Sequence, residues 1–166
     1  MGRELDGFRD YASSRRTELR RTAYLLCGDW YLADDLVQDA LAKLYVHWPR
    51  VSARGDVDAY VRRMLVNGFL AGRRRAWRRE LVTAQLPDVP APDSADHPTR
   101  DLLLRALADL QPSQRTIVVL RYWDDLSVEQ TAAALGCSTG NVKSQASRGL
   151  AHLRAALSAV AVEGGH

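Results

Sequence analysis

The sequence contains little of what most enzyme active sites and metal centres are built from. Its 166 residues include two cysteines, Cys27 and Cys137, which are far apart along the chain, and four scattered histidines. Neither cysteine has a second ligand at the spacing of a zinc site, so we predict two small, buried or half-buried thiols instead of a disulfide framework or a bound metal. The sequence also has no HExxH motif, no GxGxxG motif, no Walker-type loop and no nucleophile paired with a base. We therefore predict no catalytic residues, no metal and no cofactor.

Long apolar segments and targeting signals are missing as well. No apolar run approaches the ~20 residues that cross a bilayer, and the stretch Met1–Asp10 is too charged to be a signal peptide. We therefore expect a cytoplasmic protein without membrane insertion. The hydrophobic share of 46% is enough for packed cores, and 166 residues accommodate one ordinary domain or two small ones.

Patterns typical of β-strands are scarce, whereas apolar residues recur at the three- and four-residue spacing of helices. We predict a helix over Ala33–Trp48, capped by Asp29 and ended by Pro49, and then a loop over Val51–Asp56. A second helix is predicted from Val57 toward Trp77. The apolar residues that define the two helices are Leu32, Leu36, Val37, Ala40, Leu41, Leu44, Tyr45 and Trp48 for the first, and Val57, Tyr60, Val61, Met64, Leu65, Phe69 and Leu70 for the second.

The segment 81–99 differs in composition from the sequence on either side. It contains four prolines and three aspartates but no lysine or arginine, which is typical of an extended linker. Helical periodicity returns at Arg100. We therefore predict an all-α protein with two small helical domains, 1–80 and 100–160. A flexible acidic linker, 81–99, joins them, and a frayed tail, 161–166, follows.

The sequence has only two lysines, Lys43 and Lys143, so nearly all of its permanently charged basic side chains are arginines. The net charge of +3 is small, so the distribution of charge is more informative than its sum. Seven arginines crowd 61–79, where no acidic residue intervenes. This stretch favours a polyanionic partner, because arginines bind phosphates and aromatic rings stack on unpaired bases. The alternative is a solvated charged face, with Tyr60 and Phe69 in a core.

The residues from Ser127 onward have the pattern of a helix-turn-helix. Ser127 is a good N-cap, Gly136 stands where a left-handed C-cap is expected, and Ser138 can cap the second helix. On that helix, the residues expected to face inward are Val142, Ala146, Leu150 and Leu153. The residues expected to face outward suit base edges and phosphates in a DNA groove: Asn141, Lys143, Ser144, Ser147 and Arg148. A plain helical hairpin with a solvated polar face is the alternative.

The helix predicted over 33–48 begins with an acidic, polar patch of Asp34, Asp35, Gln38 and Asp39. Carboxylates in a first turn stabilise the helix dipole, which explains the patch without any function. Acid–base chemistry or a metal site is disfavoured because no histidine or cysteine accompanies these residues. A protein-binding face remains as the functional hypothesis.

Three runs of the sequence together resemble one known family. The run ADDLVQDALAKLYVHW (33–48) resembles region 2.2 of bacterial sigma factors, and AYVRRMLVNGFLAGRRRAWRR (59–79) resembles regions 2.3 and 2.4. The run LADLQPSQRTIVVLRYWDDLSVEQTAAALGCSTGNVKSQASRGLAHLR (107–154) resembles region 4. Their order and spacing are similar to those of the extracytoplasmic-function, or group IV, sigma factors. The opening FRDYASSRRTELRRTAYLLCGDWYLADD is most similar to the actinobacterial SigE-like subfamily.

The resemblance implies a sigma region 2 helical bundle, a region 4 helix-turn-helix, and the role of an alternative sigma factor rather than an enzyme. Such a protein binds core RNA polymerase and directs promoter recognition and DNA melting. The residues implied to dock on the beta-prime clamp helices are Asp34, Asp35, Leu36, Gln38 and Asp39. Those implied to open and read the minus-ten element are Tyr60, Arg63, Asn67, Arg73, Arg74 and Arg75. The loop 52–58 is implied to take part and to hold an extruded base. Those implied to read the minus-thirty-five element are Asn141, Lys143, Ser144, Ser147 and Arg148.

The partners implied by the resemblance are core RNA polymerase, including its beta flap, promoter DNA and an anti-sigma factor. The acidic linker would thread toward the polymerase active site. Two alternatives from other classes stay open on the residues alone. One is a stand-alone helix-turn-helix regulator that binds duplex DNA as a dimer, and the other is an adaptor that binds only protein. The arginine-rich stretch and the polar helix face disfavour the adaptor.

Overall fold

The computed structural model describes residues 2–80 and 98–163, with side chains described for 2–73 and 98–159. All regular structure in these ranges is helical, which confirms the all-α prediction. The chain divides into two compact units, Met1–Ala84 and Gln85–His166. No helix in the described ranges is both long and apolar enough to span a membrane. The predicted linker, 81–99, lies outside the described residues except for its last two, which begin a helix.

The first unit contains three long helices: α1 (Gly2–Cys27), α2 (Trp30–Arg54) and α3 (Val57–Glu80). Helix α2 packs against both of the others. Its buried residues recur at helical spacing and face buried residues of α1 and α3. The core consists of Ala23, Leu26, Ala33, Leu36, Val37, Ala40, Leu44, Val51, Val61, Leu65, Val66 and Phe69. Each large member contributes about 1.5–3 kcal/mol relative to an exposed side chain.

Helix α2 begins directly after the predicted cap, three residues before the predicted start at Ala33, and it ends later than predicted. The Asp29 side chain accepts hydrogen bonds from the backbone N–H groups of Tyr31 and Leu32, which confirms its role as N-cap. The prediction that Pro49 ends the helix is wrong, because the helix continues to Arg54. Pro49 is exposed, so water can satisfy the helix carbonyl that its ring leaves without a donor. The helix ends at Gly55, whose φ of 84° lies in the left-handed region.

The connection between α2 and α3 is only Gly55 and Asp56. The loops predicted over 51–56 and 52–58 are therefore wrong, because their first residues belong to α2 and their last to α3. Asp56 caps the new helix, since its carboxylate accepts a hydrogen bond from the Ala59 N–H at 3.2 Å. The predicted helix from Val57 toward Trp77 is confirmed, and it continues three residues further, to Glu80.

The second unit begins with α4 (Pro98–Ala108), two residues before the position predicted from periodicity. Helix α5 (Pro112–Val118) follows and continues as a π-helical turn, Val119–Trp123. Helix α6 (Val128–Leu135) and helix α7 (Thr139–Glu163) complete the unit. The predicted tail over 161–166 starts inside α7, and its last three residues lie outside the described ranges.

Helices α6 and α7 form the predicted helix-turn-helix, and its capping signals are confirmed. Ser127 and Gln130 form a reciprocal capping box, and Gly136 has a φ of 67°. Ser138 accepts a hydrogen bond from the Asn141 N–H at 3.1 Å. The two helices meet through a small apolar cluster of Ile117, Ala132, Val142 and Ala146, against which Val128, Leu135 and Cys137 pack.

Removing the capping box should loosen α6 locally. The variant Ser127→Ala deletes the acceptor of the Gln130 N–H, so we expect α6 to lose about 1 kcal/mol of stability. Hydrogen exchange of peptides covering 127–135 would measure this loss as faster exchange. The exposed Ser158 on α7 offers the matched control, Ser158→Ala. Equal exchange in the two variants would contradict the assignment of Ser127 as a stabilising cap.

Candidate nucleic-acid and protein interfaces

The predicted groove-reading residues all lie on the exposed side of α7. Because Val142, Ala146 and Leu153 are buried, the rotation of the helix about its axis is set, and the opposite side faces solvent. That side carries all five residues predicted for the minus-thirty-five element, which we call the α7 surface: Asn141, Lys143, Ser144, Ser147 and Arg148. Its donors and acceptors suit base edges, and its two cations suit phosphates.

The residues predicted for the minus-ten element lie along α3, and the structure brings some of them together. Arg63 and Asn67 are exposed and four residues apart, so they share one face of the helix. Arg73 is exposed on a neighbouring face, whereas Tyr60 is half-buried. The side chains of Arg74 and Arg75 lie outside the described residues. Phe69 is 3% exposed and belongs to the core, as its spacing suggested.

A polar network ties α1 to the first turn of α3. The Tyr11 hydroxyl donates to one oxygen of the Asp58 carboxylate at 2.7 Å, and the Arg15 guanidinium donates to the other at 2.9 Å. Arg15 also pairs with Glu18 at 2.8 Å. Partial burial and then the hydrogen bond to Asp58 raise the pKa of Tyr11 far above its ordinary value. The network ties α1 to Asp58, the second residue of α3, close to the short connection between α2 and α3.

The acidic patch at the start of α2 divides into three kinds of position. Asp35, Gln38 and Asp39 are exposed and share one side of the helix. Asp34 is half-exposed and forms an ion pair with Arg20 at 2.6 Å. The expectation that Leu36 contacts a partner is corrected by the structure, because Leu36 is only 7% exposed and belongs to the core.

The partner of Asp34 is itself held by aromatic rings. The Arg20 guanidinium lies 4.4 Å from the centroid of the Trp30 ring, and Trp30 stacks on Tyr24 with ring centroids 3.8 Å apart. A guanidinium over an indole face is attracted by the ring quadrupole. Asp34 is therefore partly neutralised, and the more available carboxylates of the patch are those of Asp35 and Asp39.

Sequence patterning missed that α2 exposes large apolar side chains. Leu32 and Tyr45 were placed on the inward stripe, but they are 43% and 53% exposed. At about 100° per residue, each lies roughly a quarter turn or more from the centre of the buried stripe. Tyr31 and Val46 are exposed too. A narrower count of the stripe, centred on Ala33, Val37, Ala40 and Leu44, identifies these positions as surface.

A second group of exposed aromatics lies on the π-helical turn after α5. Tyr122 and Trp123 are 47% and 55% exposed. The turn that follows contains Asp125, a non-glycine residue with a φ of 54°. The Arg121 guanidinium donates to the Leu126 carbonyl and closes this turn. The chain thus holds two adjacent aromatic side chains at a surface instead of burying them.

Both cysteines are half-buried, which agrees with the predicted burial. Neither takes part in a disulfide. Across the described ranges, histidine, cysteine, aspartate and glutamate side chains do not gather in threes as a metal site would require. The polar surfaces of α2, α3 and α7 are therefore the candidate functional sites.

Two family models match the chain. Residues 12–79 match sigma-70 region 2, and residues 100–153 match sigma-70 region 4. The first match spans the greater part of α1 and nearly all of α2 and α3, and the second covers the helix-turn-helix.

Proteins of the same kind are found among curated relatives and solved structures. The chain is 43% identical to the RNA polymerase sigma-E factor of Streptomyces coelicolor, over 93% of this chain and 87% of that protein. It is 37% identical to the ECF RNA polymerase sigma factor SigM of Mycobacterium tuberculosis, over 82% and 69% respectively. Its fold is similar to that of the sigma factor RpoE of Bartonella quintana in complex with the anti-sigma factor NepR. That match has a TM-score of 0.76 and 26% identity, over 92% of this chain and 97% of that one.

The network at Tyr11 predicts a measurable pH dependence. Because folding raises the pKa of Tyr11, its contribution to stability is complete below the unfolded value of ~10. That contribution is lost as the pH rises above this value, where only the unfolded chain releases the proton. The variant Tyr11→Phe should cost about 0.5–1 kcal/mol at pH 7, for one partly buried hydrogen bond. It should also lose stability less steeply than the wild type between pH 9.5 and 11.

Urea unfolding of the full chain, followed by tryptophan fluorescence at each pH, measures both effects. Tyr45→Phe alters an exposed tyrosine of the same unit and is the matched control. Parallel pH profiles for the wild type and Tyr11→Phe would show that Tyr11 does not couple to folding.

Proposed function

Since the chain belongs to the sigma-70 family, as an extracytoplasmic-function sigma factor of SigE-like type, we propose how its surfaces divide the work. The chain is an alternative sigma factor, and it directs promoter recognition by RNA polymerase. The observation that carries the division of roles is that the five polar residues of the α7 surface are all exposed, opposite a buried apolar stripe. In this proposal the chain supplies specificity to an enzyme and has no catalytic residues of its own.

The α7 surface reads the minus-thirty-five element as duplex DNA. An α-helix fits the major groove, where each base pair presents a distinct pattern of donors and acceptors. Arg148 and Lys143 suit guanine edges or phosphates, and Asn141 suits adenine. Ser144 and Ser147 are short, which allows the helix backbone to approach the bases closely.

Helix α3 reads and melts the minus-ten element. Arg63, Asn67 and Arg73 present exposed polar groups along its length, and Arg74 and Arg75 extend the arginine-rich sequence toward upstream phosphates. Capturing a flipped base costs a few kcal/mol of stacking, which contacts to the extruded base must offset. Tyr60 is half-buried. In this proposal its ring therefore lies at the edge of the DNA-reading face of α3 and supports that face. Since the α2–α3 connection has two residues, the extruded base would be held by helix ends rather than a long loop.

The exposed side of α2 docks on the beta-prime clamp helices of core polymerase. Asp35, Gln38 and Asp39 supply the polar contacts, and Asp34 contributes through its ion pair with Arg20. Leu36 supports this surface from the core, while the exposed Leu32 and Val46 supply apolar contacts at its two ends. In the second unit, Tyr122 and Trp123 supply the contact with the beta flap.

Further partners follow from the family and its relatives. The linker, with its aspartates and prolines, enters the channel toward the polymerase active site, where its negative charge substitutes for nucleic acid. The similar Bartonella sigma factor forms a complex with an anti-sigma factor, and a regulator of that class holds this chain inactive in the cytoplasm. No membrane insertion is part of this role.

Reversing charges on α2 should separate the chain from polymerase. We expect Asp35→Arg and Asp39→Arg to weaken binding to sigma-free core polymerase at least about tenfold each, because like charges across an interface cost several kcal/mol. Gel filtration of mixtures with core polymerase from a related bacterium measures the loss as failure to co-elute. The control is Asp10→Arg, which reverses an exposed carboxylate on α1. If the wild type fails to co-elute and instead binds duplex DNA tightly alone, a stand-alone regulator becomes the better assignment.

Substitutions on the α7 surface should reduce discrimination at the upstream element. The probe is a promoter selected by the wild-type holoenzyme from a pool with randomised upstream sequence. Its transcription, divided by that of the same promoter with a scrambled upstream element, is the upstream discrimination ratio. Arg148→Ala and Asn141→Ala should each lower this ratio by roughly five- to hundredfold, the value of one bidentate base contact. Arg154→Ala, an exposed position farther along α7, is the control. An unchanged ratio for both test variants would exclude α7 as the reading helix.

A further inference from the structure

Gln145 lies on α7 among the residues proposed to read DNA, but it is less exposed than they are. Ser144 and Ser147 are exposed, whereas Gln145 is half-buried. Its side-chain oxygen accepts a hydrogen bond from the amide nitrogen of Gln114 on α5 at 2.9 Å. The bond joins two residues that are 31 positions apart in sequence and lie on different helices. A side chain of α5 therefore contacts α7 beside the residues proposed to read DNA.

One turn further along α7, a glycine allows α5 to approach closely. A Cβ atom at Gly149 would lie 2.5 Å from Cγ2 of Val118 and 3.3 Å from Cγ of Gln114. Real Cβ atoms essentially never approach a carbon to 2.5 Å, so the observed spacing of the two helices requires glycine here. Gln114 thus contacts α7 at two successive turns, by a hydrogen bond at Gln145 and by packing at Gly149.

The buried residues of α7 set which side of the helix faces solvent, and these two contacts act on the finer rotation of α7 about its axis. The part of α7 that faces α6 is lined by small side chains, Val142 and Ala146, and hydrophobic packing has no preferred direction. A rotation of α7 by roughly 20° would move atoms at its surface, about 5–6 Å from the axis, by about 2 Å. Such a shift exceeds the distance range of a hydrogen bond. A directional bond at the edge of the buried stripe opposes this rotation.

We propose that Gln114 is a positioning residue for promoter reading, which fixes the rotation of α7 through its hydrogen bond to Gln145 and its packing at Gly149. This inference rests on the proposed function of the α7 surface. Gln114 touches no DNA in this role. It holds the α7 surface in a fixed orientation, so that Arg148 and Asn141 contact base edges without a prior reorientation of the helix.

The test uses the full chain in its holoenzyme and the upstream discrimination ratio. Gln114→Leu keeps the side-chain volume but removes the donor, and it should lower the ratio roughly fivefold, which corresponds to the ~1 kcal/mol of one net hydrogen bond. Gln114→Glu should restore most of the ratio, because the Gln145 amide can turn over and donate to the carboxylate. Gln111→Leu makes the same chemical change at an exposed position just before α5 and should leave the ratio unchanged.

A second pair of variants tests the close approach independently. Gly149→Ala should lower the ratio because its methyl group displaces Val118. Adding Val118→Ala, which removes the atom that clashes, should restore part of the loss. Hydrogen exchange across 112–153 identifies any variant whose second unit has unfolded.

Three results would overturn the inference. The first is an unchanged ratio in Gln114→Leu while Arg148→Ala loses discrimination. The second is an equal loss in Gln114→Leu and Gln114→Glu, because this would assign Gln114 to general packing. The third is a loss in Gln114→Leu that hydrogen exchange attributes to unfolding of α5. If Arg148→Ala and Asn141→Ala also leave the ratio unchanged, the proposed reading by α7 fails first, and the role of Gln114 fails with it.

Discussion

Helix α7 has one rotation about its axis at which Val142, Ala146 and Leu153 are all buried, and the chemistry of its opposite side depends on that rotation. At about 100° per residue, burying these three positions places Ser144, Ser147 and Arg148 in solvent together. Two of these side chains, Val142 and Ala146, are small, however, and α5 approaches α7 closely at Gly149. Because α5 and α7 approach each other closely over a small area, the orientation of α7 depends on a few specific side chains.

The same constraint acts on α2, where the buried stripe is broader. Ala33, Val37, Ala40 and Leu44 face the core, so the carboxylates of Asp35 and Asp39 have no place except at the surface. Their first-turn neighbour Asp34 lies nearer the core and pairs with Arg20. One helix therefore contributes to folding through one face and offers charge to a partner through the other. A substitution on either face is expected to affect mainly one of these two properties.

Local signals in the sequence predicted most of the fold, because caps and periodicity depend on neighbours within a few residues. Asp29, Ser127, Gly136 and Ser138 all cap helices as expected. Pro49 was misjudged, because the tertiary burial of Val51 and a better stop at Gly55 outweigh one missing donor.

The predicted sites depend on finer geometry, and the sequence determined them less completely. Leu36 differs from Leu32 by one turn, yet Leu36 is buried and Leu32 exposed. Since a one-turn spacing places both residues near the same side of α2, the two differ only in their angular distance from the centre of the buried stripe, which a broad count of apolar residues does not resolve. The bonds from Tyr11 to Asp58 and from Gln114 to Gln145 cross 47 and 31 residues. No local pattern identifies such pairs, because their contact depends on how whole helices pack.

The two charged sides of the first unit are kept chemically separate by ion pairs between them. Arg15 and Arg20 on α1 pair with Asp58 on α3 and Asp34 on α2. In the proposed function, the exposed carboxylates of α2 are left for one partner and the arginines of α3 for a polyanion. Screening reduces interactions beyond ~8 Å at physiological salt, so each surface presents mainly its own sign of charge. The proposed function therefore needs no large net charge: with a net charge of only +3, separate surfaces of opposite sign would attract a basic protein surface and a DNA backbone at the same time, which a uniformly basic protein could not do.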